Sequence, residues 1–375
     1  MLASRPDYNI YKTLAHHVDL YKRWAPLGRF LLNGTSLSPR EREIIMLRMG
    51  WLCQSEYEWA QHARIAREAA GLTTDELHRI AADPAAPSWS EGERTLLQMG
   101  DELRYEAMIT ESTWQAHDAR YSNTQKIEAV FTAAQYQLVS MVLNTLGVQL
   151  DPMLEDRLPA QLPQPSVATM PSTPRLRHPR LPPLVESRWS AQQRELIAPQ
   201  IRNGKVMNLY ATLLHHPGLY APRYGFGRYL LSDSLLPPQT REVLILRTAW
   251  LHQSAYEWSH HVRFAMEAGL SESDIKRVTA GPSADWNELQ STVIQAADEL
   301  RAEAFVSDLT WSRLSRRYDT WQLIEIVFTV GGYAMTALAI TMTRAGVSLR
   351  PIVWFVGFFA IVAGPQAVVH LLDGF

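Results

Sequence analysis

Gly50-Trp51-Leu52-Cys53-Gln54-Ser55-Glu56-Tyr57-Glu58-Trp59-Ala60-Gln61-His62 is written a second time as Ala249-Trp250-Leu251-His252-Gln253-Ser254-Ala255-Tyr256-Glu257-Trp258-Ser259-His260-His261. The shared core, Trp-Leu-x-Gln-Ser-x-Tyr-Glu-Trp-x-x-His, recurs at a spacing of 199 residues. Towards the N-terminus the same spacing relates Tyr11-Lys12-Thr13-Leu14-Ala15-His16-His17 to Tyr210-Ala211-Thr212-Leu213-Leu214-His215-His216, and Arg42-Glu43 to Arg241-Glu242. Past residue 85 the spacing becomes 197, relating Asp101-Glu102-Leu103-Arg104 to Asp298-Glu299-Leu300-Arg301, Trp114 to Trp311, and Tyr121 to Tyr318. The chain is therefore a tandem duplication, and a period this long means two whole domains rather than stacked solenoid units.

Within a copy nearly every segment has helical texture. Residues 11–32 place apolar side chains at helical spacing and stop at Asn33-Gly34. Ser38-Pro39-Arg40-Glu41 is a capping box with Pro at the first helical position, opening a helix through Ile44, Leu47 and Leu52. The helix carrying Tyr57 stops at Gly71, as its twin stops at Gly269, and residues 124–146 form a long apolar helix. No stretch sustains the period-two alternation of a strand. The expectation is an all-α protein of two bundles of about six helices each.

The length of 375 residues allows each half its own core, and 46% hydrophobic with 20% charged residues is ordinary globular composition. A formal net charge of -2 gives no nucleic-acid footprint. Cys53 is the single cysteine, so no internal disulfide framework exists. The first residues carry no apolar leader, which leads us to expect a cytoplasmic protein.

The expected organisation is copy one over residues 1–150, a linker over 151–187, copy two over 188–350 and an apolar tail over 351–375. Residues 152–183 hold nine of the 22 prolines, a density that forbids helix and gives an extended linker. Residues 352–372 carry no charged side chain and are long enough to span a membrane, although Gly364-Pro365-Gln366 and His370 interrupt the run. The tail therefore reads either as a membrane contact or as a segment packed into a protein groove.

On a helix Ser55, Glu58 and His62 share one stripe, with Tyr57 one position off it and Trp59 on its other flank. Glu43 precedes His62 by 19 residues on the capped helix before it, and Glu242 precedes His261 by the same 19. If the two helices run antiparallel, each Glu can reach its His, and burial with mutual charge would tune the pair towards neutral pH. Tyr57 and Tyr256 could donate to a developing oxyanion. The catalytic candidates are thus His62, Glu43, Glu58, Tyr57, His261, Glu242, Glu257 and Tyr256, with Ser55, Trp59, Ser254 and Trp258 lining the substrate. The plainer alternative is a helix-to-helix strut, which a duplicated fold would also repeat. His16-His17 and His215-His216 read as core or interface histidines, and Trp51, Trp59, Trp114 and Tyr121 as packing rather than a cofactor box. One His with two carboxylates is a thin ligand set, so no metal is assigned. No phosphate loop, dinucleotide fingerprint or nucleophile elbow occurs, so cofactor-free chemistry is expected.

With Arg-Glu, the following Leu-Arg, Tyr-Glu-Trp-x-x-His and an Ala-rich helix ending in Gly-Leu, both copies resemble the carboxymuconolactone decarboxylase family, which includes the alkylhydroperoxidase D branch. The resemblance implies an all-α fold that commonly assembles into oligomers, so a tandem chain would look like a fused dimer, an internal pseudo-dimer or part of a homo-oligomer. In the peroxidase branch the motif is Glu, then Cys-x-x-Cys, then His. The Glu falls on Glu43 and Glu242 and the His on His62 and His261, but the cysteine positions hold Ser55 and Glu58, and Ser254 and Glu257. The resemblance therefore implies acid-base chemistry of decarboxylase type on a small carboxylate or lactone. Peroxide reduction through Cys53 and a non-catalytic scaffold are the alternatives.

Overall fold

The computed structural model describes residues 8–168, 170–171 and 180–342. The apolar tail, with its candidate membrane segment 352–372, lies outside them. Copy one folds as α1 (Asn9–Leu14), α2 (Val18–Asn33), α3 (Pro39–Leu52), α4 (Glu56–Ala69), α5 (Thr74–Ala82), α6 (Glu91–Glu106), α7 (Glu111–Asp118) and α8 (Asn123–Thr145). After the linker a short α9 (Ala191–Ile197) precedes copy two. Copy two comprises α10 (Asn208–Leu213), α11 (Pro217–Arg228), α12 (Pro238–Leu251), α13 (Ala255–Glu267), α14 (Glu272–Ala280), α15 (Glu288–Glu303), α16 (Asp308–Leu314) and α17 (Thr320–Ile340). Among the described residues the only β-type pairing is an isolated bridge between Arg202 and Lys205.

The start of each helix follows from local chemistry. Ser38, Thr73, Ser90 and Ser122 each cap a helix with the reciprocal box, the side chain accepting from the N3 amide while the N3 Glu or Gln reaches back. The expected single helix over 11–32 is broken in two. His17 leaves helical geometry and uses its ring Nδ1 to accept from the Leu20 amide, and His216 does the same for Leu219. A ring nitrogen thereby acts as the N-cap, which frees Nε2 to point elsewhere.

The two copies share one hydrophobic core instead of forming two separate bundles. The long helices α8 and α17 pack along each other at its centre, and α2 packs on α11 beside them. At Gly331 a Cβ would sit 2.8 Å from Leu138 Cγ, so the bare backbone lets α17 approach α8. Where the copies meet, the polar contacts are reciprocal. His17 Nε2 lies 2.9 Å from Glu325, and His216 Nε2 lies 2.9 Å from Glu128. Arg104 donates to the carbonyls of Arg301 and Ala302, and Arg301 to those of Arg104 and Tyr105. Each guanidinium thus meets the open carbonyls at the C-terminal end of the other copy's helix, where the helix dipole is negative.

The helix α17 is long and apolar enough to cross a membrane, yet 94% of its most apolar window is buried inside the protein, as befits a core helix. The described parts of the linker are irregular but stitched down. Leu154, Val167 and Leu181 are buried, the Leu181 amide donates to the Met342 carbonyl, and Arg180 donates to the Ile109 carbonyl.

Candidate functional site

The motif sits on a tight connection between two antiparallel helices. In copy one α3 ends at Cys53, Gln54 takes a left-handed φ of 50°, and the Ser55 amide returns to the Gly50 carbonyl. Copy two repeats it, with Gln253 at φ 49° and the Ser254 amide on the Ala249 carbonyl. A left-handed glutamine is uncommon, and its recurrence shows that the turn dictates the entry of the next helix.

That turn folds α4 back on α3 and α13 back on α12, bringing the Glu of each first helix to the His of the second. Glu43 Oε2 lies 2.7 Å from His62 Nδ1, and Glu242 Oε2 lies 2.7 Å from His261 Nδ1. All four residues are buried. Each imidazole also meets a tyrosine ring edge-on, Tyr136 at 4.9 Å in copy one and Tyr333 at 5.0 Å in copy two. These tyrosines escaped the sequence reading, although both recur at the 197-residue spacing inside the long apolar helix.

Beyond the shared Glu–His pair the copies differ. In copy one Glu58 lies 3.1 Å from His62 Nε2, so both ring nitrogens face carboxylates. Burial alone would push the His62 pKa down, but the charge and hydrogen bonds of Glu43 and Glu58 outweigh it and raise it to about 10. His62 is therefore a fixed imidazolium, not the group tuned towards neutrality that the sequence led us to expect. In copy two neither Glu257 oxygen has a hydrogen-bond partner. Burial pushes its carboxyl far above the usual range, with Arg223 and Ser254 pulling only partly the other way. Among the described residues no carboxylate pairs with His261 Nε2.

Several candidates are placed away from the imidazoles. The Tyr57 hydroxyl donates to Asp151 Oδ2 at 2.5 Å, and the other Asp151 oxygen accepts from the Asn9 amide, so Tyr57 fastens the two ends of copy one. Trp59 packs on Trp51 at 6.4 Å and Trp258 on Trp250 at 5.8 Å, which makes them core residues rather than substrate walls. Trp114 and Tyr121 are buried in the core. Ser55 and Ser254 stand at the N-caps of α4 and α13, buried, and neither hydroxyl makes a well-formed hydrogen bond among the described residues, although that of Ser254 is close enough to Glu257 to favour its charged form. A cleft of about 950 Å³ opens at the junction of the copies, lined by His16, His17, Lys22, Tyr229 and Trp321 and not by the motif residues.

Cys53 is 1% exposed, and burial pushes its thiol pKa up, against the partial pull of Arg104. Both effects suppress the thiolate that peroxide reduction requires. Native protein is expected to react with a thiol-specific reagent only at the rate of unfolding. Instant stoichiometric labelling of Cys53 in buffer, measured by mass spectrometry, would contradict this.

Residues 19–102 and 217–299 match the sequence model of the carboxymuconolactone decarboxylase family, one match in each copy. No curated protein and no solved structure matches the chain.

Proposed function

The chain belongs to the carboxymuconolactone decarboxylase family through both of its copies, and on that premise we propose a cofactor-independent, acid-base lyase or isomerase acting on a small carboxylate or lactone. The observation that carries this reading is the buried Glu–His hydrogen bond of 2.7 Å, formed twice between the two motif helices. A carboxylate on Nδ1 fixes the imidazole's tautomer and orientation and leaves Nε2 to handle a proton.

The second copy suits that role better. His62 has both nitrogens committed, whereas His261 has only Nδ1 committed among the described residues. Glu257 lies one turn before His261 on the same face of α13, and burial favours its protonated form, which can donate a proton. For decarboxylation of a lactone acid the steps balance. The bond to the carboxylate breaks, CO₂ leaves, and the electron pair moves into a dienolate. Glu257 then protonates the carbon, and a solvent proton returned through His261 restores the acid. Ser254 and Ser55 in place of redox cysteines fit proton rather than electron transfer.

The test is turnover of carboxymuconolactone and related small lactone acids, followed as CO₂ release. Wild type is expected to turn over at least one. His261→Gln is expected to reduce kcat by about 10²- to 10⁴-fold, the usual contribution of a general acid-base group. Undiminished turnover in His261→Gln, or none by wild type across the panel, would sink the reading. A second reading, two structural struts, is favoured by the low exposure of His62 (5%) and His261 (6%). It expects His261→Gln to lower the melting temperature while kcat stays at the wild-type value.

A further inference from the structure

Arg223 on α11 is 8% exposed and has no counterpart in the first copy, where the position 199 residues earlier is Trp24. Its guanidinium donates to Thr336 Oγ1, and Thr336 likewise stands where the first copy has Val139. Two buried apolar positions have thus become a polar pair together. Among the described residues no carboxylate lies within ion-pair distance of Arg223. The other buried arginines among the described residues are all compensated. Arg48 and Arg247 hold Asp101 and Asp298, and Arg104 and Arg301 meet the carbonyl ends of helices. A buried cation without counter-charge is costly to a fold, so a fold that keeps one has a use for it.

The surroundings indicate what that use is. Thr336, to which Arg223 donates, stands three residues after Tyr333 on the same face of α17, which places the guanidinium beside that ring. Tyr333 is the ring packed edge-on against His261 at 5.0 Å. Glu257 is the carboxyl whose two oxygens are buried without a partner. Tyr210, Tyr220 and Tyr224 stack around one another at 6.0–6.4 Å on the same side, and the Tyr220 hydroxyl is also buried unpaired. At Gly227 an added Cβ would collide with the guanidinium, so the helix is bare where Arg223 lies along it. A cation, a buried carboxyl group without a hydrogen-bond partner and flat aromatic faces adjoin the Glu242–His261 pair.

We propose that the interior of the second copy is a binding site for a small, flat, unsaturated carboxylate, whose carboxylate group pairs with Arg223 beside Thr336. The first copy, with Trp24 and Val139 in those places, has no such site. The inference deepens the function proposed above and rests on it only for which copy reacts. Arg223 holds a carboxylate that stays on the ligand. Pairing the departing carboxylate with a buried guanidinium would stabilise the ground state and slow loss of CO₂. Arg223 is accordingly a positioning and specificity residue, and a neutral ligand of the same shape would leave its charge unpaired.

The test is calorimetric titration of the full chain with benzoate and with its neutral isostere benzamide. The expected result is one benzoate site per chain, with benzamide about 10- to 100-fold weaker, the usual range for a charge-assisted pair. Arg223→Gln is expected to weaken benzoate by a similar factor. Equal affinity for benzoate and benzamide, two equivalent sites per chain, no benzoate binding, or unchanged binding by Arg223→Gln would each overturn the site. The benzoate–benzamide comparison uses wild-type protein alone, so it decides even if Arg223→Gln does not fold. Selective benzoate binding without turnover of any lactone acid would keep the site and sink the proposed reaction. Turnover lost in His261→Gln with benzoate binding indifferent to Arg223 would do the reverse.

Discussion

Replacement of Glu325 by leucine is expected to destabilise the protein by about 3–5 kcal/mol, the range for removing one partner of a buried charge network. Glu325 is fully buried in α17 and accepts from four donors of two origins. From the first copy comes His17 Nε2 at 2.9 Å. From its own copy come the Tyr229 hydroxyl at 2.6 Å, the Ser234 hydroxyl at 2.5 Å and the Leu235 amide at 2.7 Å. Leucine matches the volume roughly but leaves the buried His17 and Tyr229 donors without that acceptor, and the more exposed Ser234 hydroxyl and Leu235 amide to solvent. Glu325→Gln keeps an acceptor oxygen and is expected to lose about half as much. Urea unfolding with an unchanged m-value gives the measurement. A loss below about 1 kcal/mol for Glu325→Leu would show that the junction of the copies does not depend on this network. The acid side follows from the same contacts. Burial acts to raise the Glu325 pKa, but His17, Ser234, Tyr229 and the Leu235 amide outweigh it, so the folded value is depressed. Its stabilisation is present above the unfolded carboxylate pKa and is lost as the pH falls through the folded one.

The second large effect is on the alkaline side. Stability is expected to fall as the pH rises from about 6.5, the unfolded histidine value, to about 10, the folded value of His62. The folded pKa is raised, so protonated His62 stabilises the native state. That contribution is complete below the unfolded pKa and disappears as the imidazolium loses its proton between Glu43 and Glu58. It is of the order of a few kcal/mol, given roughly 1.4 kcal/mol for each unit of difference. His62→Gln is expected to flatten this part of the profile and to be least stable, relative to wild type, near neutral pH. A wild-type profile that stays level between pH 7 and pH 10, or one that His62→Gln leaves unaltered, would rule out a charged His62.

The His62 effect arises where one sequence motif was given different surroundings in the two copies, and the Glu325 effect where the copies meet. Fold class, the duplication and the Glu43–His62 and Glu242–His261 pairs were legible because each depends on local periodicity or on a repeated spacing. The capping box at Ser38 made the start of α3 equally legible. The break at His17 was hidden because a histidine that caps a helix leaves no sign in helical spacing. Tyr57 looked like an oxyanion donor because its partner, Asp151, lies 94 residues away. Trp59 and Trp258 looked like ligand walls because composition does not tell which face of a helix meets the core.

The sequence by itself determined that this is an all-α chain duplicated at 199 residues, and that an acidic and an imidazole side chain recur on neighbouring helices. Tertiary structure alone decided that the copies share one core, and that His17 and His216 reach across it to Glu325 and Glu128. It alone made His62 a closed ion pair with two carboxylates while leaving Glu257 and Arg223 buried without such partners. The physical reason is that helix formation and capping depend on residues a turn apart. The charge state of a buried group depends instead on whatever the packing brings within a few ångströms, often from the far end of the chain.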